Sequence, residues 1–327
     1  MDGRWNKCSR RSLVLLPALW LLDRGVAPLL AKGTSSNGER AVGPLSPPDS
    51  DFRTRNYVVN ATVMIGVIPI FTQSRVGGAV LAIEQESAQK NSRLALQFGA
   101  GTWPERLKGF NRFGMTRELV QTDNCEVAES SYMSFMASSR ETNFSQAEQA
   151  FRSKSRTLPV TIAAGRCSPQ GCTKDLVHDA VTPDRTWRNC PTLVQNFERR
   201  MAPIPTATLQ RTGTSQVLPT FLYCVRSALL QNGPATETTY AHNAELYRLK
   251  TEAHHNNHSG HRILTCRTSR LDGHGASEFN LWSVPGRDAD LPLRIEFRPR
   301  SFLKLTLEAD ETQNNPTLNH LFQEPGI

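Results

Sequence analysis

The chain has 327 residues, 21% of them charged and 38% hydrophobic, with 38 Lys and Arg against 30 Asp and Glu for a formal charge of +8. That length suggests about two domains and can bury a core without metal or disulfide staples. The composition excludes a coiled coil, a collagen and a wholly disordered chain. No apolar run reaches the ~20 residues of a helical membrane span, so a multi-pass membrane protein is not expected.

Arg4, Lys7, Arg10 and Arg11 precede the apolar run Leu13 to Leu22. A basic start followed by a short apolar stretch is the layout of a secretory signal peptide. Small residues near Ala27, Ala31 and Gly33 offer cleavage points, although Asp23 and Arg24 depart from a clean signal. Residues 1–33 are therefore expected to be a signal peptide and 34–54 a disordered Gly/Ser/Pro linker. Removing residues 1–33 takes away six basic and two acidic residues, leaving 32 basic and 28 acidic ones. It also removes Cys8, leaving Cys125, Cys167, Cys172, Cys190, Cys224 and Cys266. An even count in an exported chain permits disulfides. Cys167 and Cys172 flank the turn-like Ser-Pro-Gln-Gly and are the candidate pair.

From Arg55 onward Tyr57, Val59, Ala61, Val63, Ile65 and Val67 alternate with other residues. That period of two predicts a strand with one buried face, which Gly66 and Pro69 end or bend. Further strands are expected over Arg75–Gln85 and Arg93–Phe98, antiparallel because their connections are short. Gly99 to Arg106 reads as a loop, and Arg112 to Gln121 as another strand. Residues 138–216 are expected to be an irregular elaboration with short helices. Leu218, Phe221, Leu222, Val225, Ala228 and Leu229 share one helical face. Ser215 could cap that helix, and Gly233-Pro234 could stop it. Alternating segments then begin at Glu245, Arg262, Glu278, Leu291 and Phe302, a meander of hairpins. Residues 55–310 thus read as a single β-rich domain, and 311–327 as a polar tail.

The run Ile263-Leu-Thr-Cys-Arg-Thr-Ser-Arg-Leu-Asp-Gly273, with Phe279-Asn-Leu-Trp282 and Leu291-Pro-Leu-Arg-Ile-Glu-Phe297, resembles the closing meander of a bacterial exported family, domain of unknown function 3108. The resemblance is firm over 245–309. It implies a curved antiparallel sheet, or partly open β-barrel, with an amphipathic helix packed on its concave side. It brings no catalytic residues with it.

No nucleophile elbow or phosphate-binding P-loop is present. His254, His258 and His261 could ligate a late transition metal, but their Asn, Ser and Gly neighbours favour a solvated hairpin tip. Cys167, Cys172, His178 and Cys190 lack the usual zinc spacing, and a disulfide competes for the first two. Arg106, Lys108, Arg112 and Arg117 near aromatic residues read as a solvated face rather than a nucleic-acid site. No catalytic residue, cofactor or nucleic-acid partner is therefore expected. The expectation is a non-catalytic module of the periplasm or cell envelope of a Gram-negative-type bacterium. It would bind or carry a lipid-like or apolar ligand, with Trp103, Phe221, Leu222, Val225 and Trp282 lining the interior. The alternatives are a scaffold with a filled core, partnered by an envelope protein, or a hydrolase acting on envelope material.

Overall fold

The computed structural model describes residues 51–311 apart from 88–90, 104–105, 107–110, 140–157, 182–201, 204–216, 232, 234, 243–244, 256–259 and 273–274. The first eight strands are β1 (Asp51–Ile65), β2 (Ile68–Ser87), β3 (Asn91–Thr102), β4 (Asn111–Asp123), β5 (Glu126–Ser139), β6 (Leu158–Ser168), β7 (Gly171–Val181) and β8 (Ala202–Pro203). Helix α1 (Phe221–Leu230) follows. Then come β9 (Ala235–His242), β10 (Glu245–His255), β11 (Arg262–Arg270), β12 (Ser277–Ser283), β13 (Arg294–Arg300) and β14 (Leu303–Ala309).

All fourteen strands form one antiparallel sheet, in the order β8 through β1, then β14 down to β9. The first and last strands therefore pair at its middle, with Tyr57 opposite Ala309 and Val63 opposite Leu303. The chain must travel from the β8 edge to the β9 edge, and α1 makes that crossing over the concave face.

The sheet curls without closing into a barrel. Its two flanks meet through side chains: Tyr132 on β5 packs with Leu218, Ala241 and Leu246. Leu218–Thr220 lies in this seam. Ala241 N–H donates to the Pro219 carbonyl at 3.2 Å, and Ser130 Oγ donates to the Leu218 carbonyl. The segment thus satisfies backbone groups on one side and a buried hydroxyl on the other, as an added strand would. Gly165 is required here, because a Cβ on it would lie 2.4 Å from Tyr132 Cε1.

The period-two pattern does place the core. Leu94, Leu96, Phe98 and Ala100 on β3 face inward, as do Leu264 and Cys266 on β11 and Leu305 and Leu307 on β14. They pack against Phe221, Leu222, Cys224, Ala228 and Leu229 of α1. The opposite face of β9–β14 carries cross-strand ion pairs such as Arg248–Glu237 and Arg267–Glu278.

Several expectations need correction. Residues 158–181 are not irregular: they form the β6–β7 hairpin, with Cys167 directly opposite Cys172. The small residues there conceal the alternation, but the pairing continues the sheet. Gly99–Thr102 belong to β3 rather than a loop. Ala235–His242 form β9 although they lack a strong apolar alternation. β1 begins at Asp51, within the segment expected to be linker. The first strand ends before Gly66, but the second starts at Ile68 rather than Arg75, so Pro69 lies inside it. Over 68–75 β2 has no strand partner on the β3 side among the described residues, since that ladder begins at Gly77 and only the Trp103 N–H extends it, to the Val76 carbonyl. Proline is tolerated on such an edge. The helix begins after Thr220 rather than Ser215, which lies outside the described residues.

Candidate functional site

The concave face beneath α1 is the place where an interior ligand would sit. Three charged groups fix the helix there, two from sheet strands and one from the β12–β13 connection.

At its amino end, Thr220 occupies the N-cap position without a side-chain cap bond, and the first turn holds no acidic residue. Glu118 of β4 supplies both functions. Its fully buried carboxylate accepts from Leu222 N–H at 2.9 Å and Tyr223 N–H at 3.1 Å. These are orphan donors of the first turn, where negative charge is favoured by the helix dipole. Burial pushes the Glu118 carboxyl up to about 7, and the backbone N–H groups pull against that rise.

At the carboxyl end the last turn has no basic residue. Arg262 of β11, itself buried, donates to the carbonyls of Leu229 at 2.7 Å and Ala228 at 3.3 Å. A guanidinium there satisfies terminal carbonyls and complements the negative end of the dipole.

The middle of α1 is held by Asp290, which is 2% exposed. Its carboxylate receives Arg226 Nε at 2.8 Å and a two-pronged bond from Arg53 at 2.6 and 2.9 Å. Burial alone would raise the Asp290 carboxyl, but the two guanidinium groups outweigh it and hold it below its ordinary value. Arg226 also donates to Gln85 Oε1 at 2.9 Å, joining the helix to β2.

Little space remains under this helix. The cavity is about 40 Å³, lined by Leu81, Ile83, Leu96, Phe98, Phe279 and Leu281 from the sheet and by Phe221, Leu222 and Val225 from α1. Ligand sites for organic molecules are roughly 300–1,000 Å³; this one has room for only a few water-sized molecules. Phe221, Leu222 and Val225 thus stand together as expected, but Trp103 and Trp282 stand elsewhere. Trp103 lies past the end of β3, with the Arg75 guanidinium 5.8 Å from its ring. Trp282 is half-buried under Arg294 at 5.2 Å.

The remaining candidates are dispersed. Cys167 and Cys172 are joined in a disulfide, so neither is available as a thiolate ligand. His254 ends up near the tip of the β10–β11 hairpin, with His261 across it and His258 outside the described residues. Among the described residues no cluster of metal-ligating side chains occurs. Cys224 and Cys266 are buried thiols, raised by burial. His242 is enclosed by Tyr132 and Phe221 at ring distances of 5.4 and 5.8 Å, and neither nitrogen has a hydrogen-bond partner among the described residues. Burial pushes its pKa down to about 3, leaving it neutral.

Glu118, Arg262 and Asp290 were not singled out by sequence reasoning. Two of them carried a signal. Glu118 shares a strand face with buried Thr116 and Val120, and Arg262 shares one with buried Leu264 and Cys266. A charged residue in the inward phase of a strand needs a partner, here the two ends of one helix.

No family model matches the chain, and no curated protein matches it. The resemblance to domain of unknown function 3108 therefore rests on the quoted C-terminal residues alone. Among solved structures, the chain is similar to a β-barrel-like protein of domain of unknown function DUF1849 from Brucella abortus. The identity is 5%, the match covers 79% of this chain and 95% of that one, and the TM-score is 0.40. Among the described residues no helix is long and apolar enough to cross a membrane.

Proposed function

We propose that this protein is a non-catalytic binding module of a bacterial cell envelope that meets its partners with its outer surface. The observation that carries this reading is the filled interior: a cavity of about 40 Å³ under a helix held at both ends and in the middle. Export is part of the proposal. It is supported by the basic-then-apolar start and by the Cys167–Cys172 disulfide, which an oxidising compartment would preserve.

A second reading, a carrier of lipid-like molecules, is favoured by the almost wholly apolar lining of that cavity. A ligand would have to displace α1, breaking the bonds to Glu118, Asp290 and Arg262. Titrating delipidated protein with a fluorescent long-chain fatty acid separates the two. The filled module shows no saturable uptake. One saturable site per chain, lost when a bulkier residue replaces Val225, would establish the carrier instead.

A further inference from the structure

The apolar residues that the fold leaves in solvent are concentrated in one place. Ile65, Val67, Ile68 and Phe71 are 68%, 80%, 61% and 58% exposed, and Val63 and Ile70 join them. All belong to the β1–β2 hairpin, where Ile65 pairs with Ile68 across a turn led by Gly66 at φ +61°. A two-residue hairpin turn needs such a residue at its first central position.

This hairpin projects from the sheet. β14 reaches only as far as Val63, through Leu303, and β3 only as far as Gly77. At about 3.3 Å per residue the tip stands roughly 10 Å beyond β14, and further beyond β3. From Asn56 to Ser74 the sequence contains no charged residue.

The chemistry around the base is different. Met64 N–H donates to the Phe302 carbonyl at 2.7 Å, which sets the β13–β14 turn beside one arm. Gln73 Nε2 donates to the Arg106 carbonyl at 2.7 Å, which sets the β3–β4 connection beside the other. These neighbours bring exposed Phe302, half-buried Trp103 and the exposed cations Arg106 and Arg298. Arg75 sits at the base itself, in a left-handed backbone conformation (φ 55°) that Asn60 holds by accepting its N–H. None of Arg75, Arg106 and Arg298 has an acidic partner among the described residues. The nearby acids Glu278 and Glu296 are engaged by Arg267 and by Arg294 and Lys304.

We propose that this hairpin is a wedge that docks the protein on an anionic bilayer surface, its tip entering the interfacial zone while Arg75, Arg106 and Arg298 meet lipid phosphates. Two features select a bilayer over a protein partner. Successive strand residues point to opposite faces, yet Ile70 and Phe71 are both exposed, so the β2 arm of the tip is apolar and open on both faces, although Met64 on the β1 arm is buried. A protein partner covers one face, whereas hydrocarbon surrounds a projection. The apolar tip with a basic, aromatic base also matches the layering of a membrane interface, where inserted elements reach ~5–10 Å and cations face anionic headgroups. The inference is independent of the reading of the interior.

The test is co-sedimentation of the full chain with vesicles of phosphatidylglycerol and phosphatidylcholine in equal parts, and with phosphatidylcholine alone. Comparisons are made with Val67→Glu/Ile70→Glu and with Arg75→Gln/Arg298→Gln. The apolar run Leu13 to Leu22 is common to all three chains, so differences between them belong to the hairpin. The expected result is binding to the anionic vesicles that weakens at least tenfold in the tip variant. The arginine variant should bind several-fold more weakly and lose part of its salt dependence. Both variants should keep the parent's melting temperature. Equal binding by parent and tip variant, or no binding by the parent, would overturn the proposal. So would a parent dimer that the tip variant dissolves in sedimentation velocity, which would make the tip an interface between copies.

Discussion

The underside of α1 and the tip of the β1–β2 hairpin are both apolar, yet the fold treats them oppositely. Under the helix the large apolar side chains of the sheet are covered, and the few charges admitted are spent on holding the helix. At the hairpin the apolar residues are left in water and charge is kept to the base. Burying Glu118, Arg262 and Asp290 is costly unless each is satisfied, so their presence shows how firmly that side is determined. Leaving Ile65, Val67 and Ile68 exposed contributes nothing to stability. They are the residues whose presence the fold itself does not explain.

The contrast can be broken most strongly at Asp290. Asp290→Ala leaves Arg53 and Arg226 facing each other without their carboxylate, and should cost about 3 kcal/mol in urea unfolding. Glu118 gives an effect of similar ceiling through pH. Its folded pKa of about 7 stands above the ordinary 4.5, so the folded state keeps a proton that the unfolded chain has released. Stability should therefore fall as pH rises from about 4.5 to about 7, by at most about 3 kcal/mol, and then level off. Glu118→Gln should abolish that slope. His242 then remains, shifted from 6.5 down to about 3. Its contribution is lost in the other direction, as pH falls below about 6.5, because the unfolded chain takes up the proton first. Unfolding curves across pH for the two chains check both signs.

Arg262→Met should cost about 2 kcal/mol, because the Ala228 and Leu229 carbonyls lose buried donors. Cys167→Ser/Cys172→Ser opens a short loop, with a sequence separation of 5, and should cost about 2 kcal/mol or somewhat less. Its effect should show in hydrogen exchange as fraying of the β6–β7 hairpin, with α1 still protected. At the other extreme, Ile68→Ser at the hairpin tip should change stability by less than about 0.5 kcal/mol. A large loss there would mean that the tip supports the fold and that the two regions are not opposites.

Much of this architecture is legible in the chain. The alternation over β1, β10, β11 and β14 and the helical face from Phe221 to Leu229 are strong patterns, and they place an antiparallel sheet with one helix on it. What escapes is informative. β6 and β7 are rich in Ala, Gly and Thr, and β9 in Thr and Ala, so they carry little apolar contrast although the ladder binds them through the backbone. The pairing of Glu118 and Arg262 with the two ends of α1 joins residues 104 and 33 positions apart, which no local pattern reveals. Trp103 and Trp282 looked like interior aromatics because size suggests burial. One instead stands at the base of the hairpin, and the other lies on the outer face under Arg294. The projecting hairpin was hidden for a simpler reason. Val63 to Phe71 reads as core by composition, and only the lengths of the neighbouring strands show that, apart from buried Met64, most of it stands clear of the described residues.

The central claim is that α1 is a fixed part of the core and not a lid. Native-state hydrogen exchange of its backbone amides tests this most directly. With Glu118, Asp290 and Arg262 in place, the amides of Ser227 to Leu230 should exchange only through global unfolding, with the same free energy and denaturant dependence as those of β3 and β11. Exchange of the helix at a much lower free energy, while β3 and β11 stay protected, would contradict the account and reopen the interior to a ligand.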